Sequence, residues 1–175
     1  MTLAASSLSG ADRVALAGLG ASAFVAFMAG LIEDFTKRVT PGQRLLAVMF
    51  AASLALWLAG SEISRTGIPT LDAALTVGGV SIALTLIAVA GVANSINIID
   101  GFNGLASMCV AIMLAALAYV AHRVGDPLIL SCALVSLGAV LGFFVWNYPF
   151  GLVFLGDGGA YFLGFWVAEL GILLV

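Results

Sequence analysis

Charged residues are sparse along the chain, and the uncharged stretches between them have the lengths of membrane spans. Val14–Ile32 runs nineteen residues without a charge, Leu45–Ser61 seventeen, and Asp72 and Asp100 enclose twenty-seven. Gly101–Ala121 adds twenty-one, and Pro127–Gly156 adds thirty, too many for one straight crossing. The final stretch, Gly158–Val175, is interrupted only by Glu169. A helix rising ~1.5 Å per residue needs about 20 apolar residues to cross a hydrocarbon core of roughly 30 Å. The pattern therefore predicts six helices, at about 13–32, 41–60, 73–96, 103–122, 127–146 and 158–175. The surplus in the fifth gap, "WNYPFGLVFLG", reads as a re-entrant or interfacial loop, with Trp146 and Tyr148 suited to the membrane–water boundary.

The expected fold is thus all-α: a polytopic membrane helix bundle in a single membrane domain, 1–175. Composition agrees, with 63% hydrophobic and 9% charged residues and a mean hydropathy of +1.21. Soluble domains carry about 25% charged residues. No basic cluster points to nucleic acid. The opening "MTLAASSLSGADR" lacks the basic region and apolar core of a secretory leader. Cys109 and Cys132 both lie within apolar runs and read as small buried hydrophobes rather than a disulfide. "YFLGFWVAELGILLV" stops inside a hydrophobic run, so the chain is expected to be the central portion of a longer protein.

Three connections between the helices are unusually polar. "GLIEDFTKRVTPGQR" holds the adjacent Glu33 and Asp34. "NSINIIDGFNGLA" gathers Asn94, Asn97, Asp100 and Asn103. "NYPFGLVFLGDGGAYFLG" holds Asn147 and Asp157. Two helices separate each connection from the next, so all three fall on one membrane face. Thr40-Pro41-Gly42-Gln43 reads as an N-cap, an N1 proline and an N3 glutamine. Gly101–Gly104 and Gly158–Gly159 stand before the other two helices that start on this face.

Helix N-termini favour anions such as phosphate, whereas carboxylates repel them unless a cation lies between. Magnesium suits such a place, because it is typically held by one or two carboxylates, substrate phosphates and several waters. The residues alone therefore point to a metal–phosphate site at a membrane surface. Lys37, Arg38 and Arg44 cluster on this face, against a scattered Arg13, Arg65 and Arg123 opposite. The balance leans the site toward the cytoplasm.

At these motifs the chain resembles the polyprenyl-phosphate N-acetylhexosamine-1-phosphate transferases, grouped as glycosyltransferase family 4. Members begin peptidoglycan, enterobacterial common antigen and the O-antigen of lipopolysaccharide. They carry an Asp-Asp pair, an "NxxNxxDGxDGLA"-like stretch and an "FMGDxGS"-like stretch, matched here by Glu33-Asp34, "NSINIIDGFNGLA" and "FLGDGGAYFLG". Glu33 stands for the first aspartate of the pair, and Asn103 for the second acid of the glycine-flanked motif. The family's late loop of basic or histidine residues has no counterpart here, and His122 is expected on the wrong face to replace it.

The resemblance implies transfer of a sugar-1-phosphate from a UDP-amino sugar to a polyprenyl phosphate, with Mg2+, giving a polyprenyl-diphosphate sugar and UMP. It implies a multi-pass protein of the bacterial inner membrane with its site facing the cytoplasm, and it admits a homodimer. On this reading Asp157 is a metal ligand, and Asp100 assists the metal or orients the nucleotide-sugar. Asp34, with Glu33, handles the lipid phosphate or shares metal coordination. Asn94, Asn97, Asn103 and Asn147 either contact substrate or satisfy hydrogen bonds between helices. Glu169, about 18 Å further along its helix than Asp157, is expected to be a protonated or hydrogen-bonded packing residue. The rival readings are a transporter, whose site would lie near the midplane, and an inactive truncated homologue of the transferase.

Overall fold

The computed structural model describes residues 9–174. The leader reading therefore falls largely on residues outside those described, as does Val175, the last residue of the sixth predicted helix. Among the described residues there are seven helices and no strand. They are α1 (Gly10–Thr36), α2 (Pro41–Ala59), α3 (Pro69–Leu75), α4 (Gly78–Ile99), α5 (Leu105–Val124), α6 (Pro127–Asn147) and α7 (Gly156–Leu173). Five of them, α1, α2, α4, α5 and α6, are long and apolar enough to cross a membrane. The all-α fold expected from the sequence is the fold observed.

The elements depart from the predicted ones at their ends. α1 continues one turn past Ile32, so Glu33 and Asp34 sit on the helix rather than in a loop. It stops where Lys37 turns left-handed (φ 52°) and donates its N–H to the Glu33 carbonyl. α2 starts on the anticipated capping box. Thr40 Oγ1 accepts from the Gln43 N–H at 3.4 Å, and the Gln43 side chain accepts from the Thr40 N–H at 2.9 Å. The third predicted helix is broken in two. Short α3 begins at Pro69 and ends before Val77, and α4 restarts at Gly78-Gly79 without a side-chain cap. A valine followed by two glycines is poor helix material. α4 then runs on to Ile99, which places Asn94 and Asn97 on helix.

The packing is that of helices in an apolar solvent. The core is built largely from small residues, among them Ala23, Ala26, Ala51, Ala52, Ala55, Ala90 and Ala93. Large apolar side chains such as Trp57, Ile87 and Val135 face outward. Small residues let helix backbones approach closely, which is what drives association where lipid tails are as apolar as leucine. α7 shows it best. A Cβ on Gly30 of α1 would overlap the Asp157 backbone, and one on Gly164 would lie 2.6 Å from the Ala93 Cα of α4.

α7 is the most buried helix and packs mainly on α1 and α4, with α2 closing the group; α5 and α6 pair as a neighbouring hairpin. The first turn of α7 meets the end of α1 and the start of α2, as the Asp34 and Arg44 contacts show. At its other end the fully buried Glu169 accepts a hydrogen bond from Ser61, just past the end of α2. α7 thus runs the full depth of the bundle, parallel to α2 and antiparallel to α1 and α4. Glu169 is hydrogen-bonded at the end opposite Asp157, and it is met there by the incoming 60–68 segment.

Candidate functional site

Six helix ends gather at one pole of the bundle: the C-termini of α1, α4 and α6 and the N-termini of α2, α5 and α7. The side chains meeting there come from all three polar connections. Asp157, in the first turn of α7, is the hub. Its Oδ2 accepts from Arg44 Nη1 at 2.6 Å, and its Oδ1 accepts from Asn97 Nδ2 at 2.9 Å. The ion pair is partly sheltered, with side chains 17% and 26% exposed. Such charge-assisted bonds are stronger than neutral ones.

Asp34 occupies the N-terminus of α7 from outside that helix. Its two oxygens accept from the backbone N–H groups of Asp157 and Gly158, each at 3.0 Å. Lys37 Nζ stands 3.7 Å from Asp34 Oδ1. A carboxylate in the last turn of α1 is badly placed for that helix's own dipole. The free donors of α7 compensate for this. Glu33 turns the other way and accepts from the Val39 N–H at 2.7 Å, bracing the α1–α2 turn.

Asp100 follows the last residue of α4 and makes no side-chain hydrogen bond or ion pair among the described residues. Burial, and then the nearby charges of Asp157 and Asp34, push its carboxyl up to about 6. The pole therefore holds one strained acid beside two engaged ones.

The asparagines divide by role. Asn97 holds Asp157, and Asn94 Oδ1 accepts from the Tyr161 hydroxyl at 3.4 Å. Asn147, buried at the end of α6, accepts from the Gly104 N–H at 2.5 Å and donates to the Val153 carbonyl at 2.8 Å. Its amide pins the 148–155 loop to the start of α5. Asn103 is exposed and lies against Gly151, lining an open groove of about 520 Å³ with Phe102, Phe144 and Tyr148. Phe144 and Tyr148 stack at 5.4 Å in that wall.

The sequence reading placed Arg44 only within a basic cluster, yet the structure puts it at the centre. Its guanidinium lies 6.0 Å from the Tyr161 ring centroid, and its buried Nε has no hydrogen-bond partner among the described residues. The available signal was the lone cation one position past the capping box, on the same helix start. His122, in the last turn of α5, is at the opposite pole. Cys109 and Cys132 are free and half-buried.

Residues 16–175 match the family model described as "Glycosyl transferase family 4". A Bacillus subtilis protein named "Probable undecaprenyl-phosphate N-acetylglucosaminyl 1-phosphate transferase" is 30% identical over 86% of this chain and 42% of its own length. A Streptococcus thermophilus phospho-N-acetylmuramoyl-pentapeptide-transferase is 33% identical over 83% of this chain and 45% of its own. A Streptococcus agalactiae protein of the same name is 31% identical over the same shares. The chain spans less than half the length of these relatives.

Proposed function

The chain belongs to glycosyl transferase family 4, and from that premise we propose that its polar pole binds a nucleotide-sugar diphosphate and a polyprenyl phosphate for sugar-1-phosphate transfer. The products are a polyprenyl-diphosphate sugar and UMP. The observation that carries the reading is the Arg44–Asp157–Asn97 cluster with Asp100 unpartnered beside it. The names of the relatives supply the lipid phosphate and the transferred sugar-1-phosphate, and the nucleotide half of the donor comes from the family resemblance.

The residues suit Mg2+ in a particular way. No three acids, histidines or cysteines among the described residues are gathered to cage an ion by themselves. Magnesium rarely asks for such a cage, because it is bound through one or two carboxylates together with substrate phosphates and waters. Asp100 has free oxygens and an unfavourable negative field, and Asp157 keeps spare lone pairs. Bound there, the ion would neutralise charge on the diphosphate and polarise its phosphorus–oxygen bonds.

The chain's own groups do the rest. Positioning and neutralisation dominate phosphoryl transfer. Arg44 holds Asp157 through its Nη1 and brings its positive charge to the side of the pole where the phosphates bind. The starts of α2 and α5 direct their backbone dipoles toward the same anions, while that of α7 is taken up by Asp34. The lipid phosphate, already anionic near neutral pH, enters at the same pole and attacks the sugar-bearing phosphorus; its oxygen–phosphorus bond forms as the bond to UMP breaks. The groove along Asn103, Phe144 and Tyr148 takes the nucleotide-sugar. The pole faces the cytoplasm of a bacterial inner membrane, on the side of Lys37 and Arg38.

The transporter alternative is disfavoured by position, since the acids meet at helix ends rather than at the midplane. The test is UMP release from UDP-N-acetylhexosamine supplied with polyprenyl phosphate and magnesium, stopped by EDTA. Sugar- and lipid-independent cation flux in proteoliposomes would instead favour the transporter.

A further inference from the structure

We infer that Asp34 is a positioning residue: its carboxylate acts as a tertiary cap on α7 that sets Asp157, and it does not handle the lipid phosphate or a metal. This inference rests on the proposed transfer reading, for which Asp157 is the hub, and it changes the role that the acid pair suggested from sequence.

Three observations converge on it. Both Asp34 oxygens already accept backbone N–H groups, those of Asp157 and Gly158, at 3.0 Å each. α7 has no side-chain cap of its own, because Leu155 stands at its N-cap and cannot accept a hydrogen bond. The four orphan donors of a helix start need acceptors, and here two of them find one carboxylate on another helix.

The third observation is steric. A Cβ on Gly30 would overlap the Asp157 carbonyl, and one on Gly158 would come within 3.2 Å of the Leu31 N. A Cβ on Gly156 would sit 2.8 Å from Asp34 Oδ2. Glycine therefore stands wherever the carboxylate needs the two backbones to close. With the backbones this close, the aspartate carboxylate reaches both N–H groups at 3.0 Å. One turn of α1 thereby fixes the first turn of α7, and with it the angle at which Asp157 faces Arg44 and Asn97.

The two roles predict opposite rankings of substitutions. If Asp34 caps α7, Asp34→Asn keeps one acceptor in the same volume. Its kcat should fall about tenfold, the scale of one weakened cap, with KM for the lipid and the pH–rate profile unchanged. Asp34→Glu should be worse than Asp34→Asn, because the added methylene drives α7 away from α1. If Asp34 instead supplies charge to substrate or metal, Asp34→Glu should be the milder change. Asp34→Asn should then lose on the order of 10²–10⁴ in rate and one limb of the pH profile.

Hydrogen exchange at the amides of Asp157 and Gly158 decides the geometry without any turnover. The cap predicts at least about tenfold faster exchange in Asp34→Ala, and a smaller change in Asp34→Asn. Unchanged exchange in Asp34→Ala, or a Glu variant more active than the Asn variant, overturns the inference. If even the unsubstituted full-length protein releases no UMP, the transfer reading fails, and the exchange result alone still decides whether Asp34 caps α7.

Discussion

Asp100 is the residue whose environment least suits it. Its folded-state carboxyl titrates near 6 against an ordinary 3.8, chiefly through burial and then through Asp157 and Asp34. The fold therefore binds a proton that the unfolded chain releases, and ionised Asp100 opposes folding. That opposition is full above about 6 and absent below about 3.8. With divalent ions chelated, Asp100→Asn should raise the melting temperature at pH 8 and leave it unchanged at pH 3.5. Magnesium should stabilise the unsubstituted protein more at pH 8 than at pH 5, because a cation answers the same charge. Thermal unfolding in detergent checks both, and a stabilisation by Asp100→Asn that is equal at the two pH values contradicts the electrostatic account. Arg44 shows the opposite case. Its distance from Asp157 in sequence hides a pairing that only the packing of α2 against α7 creates.

At the scale of elements, close approach of α7 to α1 and α4 does the positioning. Gly30→Ala should cost about 1–3 kcal/mol of stability through overpacking, and it should also displace Asp157, lowering UMP release. Gly164→Ala makes a comparable clash, with the Ala93 Cα, but two turns away from the carboxylates. It should lose stability while retaining most of its activity per folded molecule. Equal activity losses in the two variants would show that the α1–α7 contact has no special bearing on the site.

Much of this was legible from spacing alone. Runs free of charge located α1, α2, α5 and α6 within a few residues, and the Thr40–Gln43 box marked the start of α2. The extra turn carrying Glu33 and Asp34 was not legible, because two charges beside Lys37-Arg38 read as part of a polar connection until α7 supplies donors for Asp34. The break at Val77 was hidden for a related reason. Charge-free length carries no signal that a helix stops before Val77 and a new one starts at Gly78-Gly79.

The whole molecule brings three distant polar segments to one pole. In a background with Cys109 and Cys132 replaced by alanine, cysteines at Thr36, Asn103 and Phe150 should react with an impermeant thiol reagent from one side of the membrane. Cysteines at Ser64 and Arg123 should react only from the other. Thr36 and Asn103 labelling from opposite sides would separate what the fold joins. The claim that joins these observations is that Asp157 and Asp100 form one metal–phosphate site, and the rates of UMP release by Asp157→Asn and Asp100→Asn at limiting magnesium test it most directly. Removing one preorganised charge from a transition state costs on the order of 10²–10³ in rate, so each variant should fall by about that factor; near-parental rates in both would contradict the site.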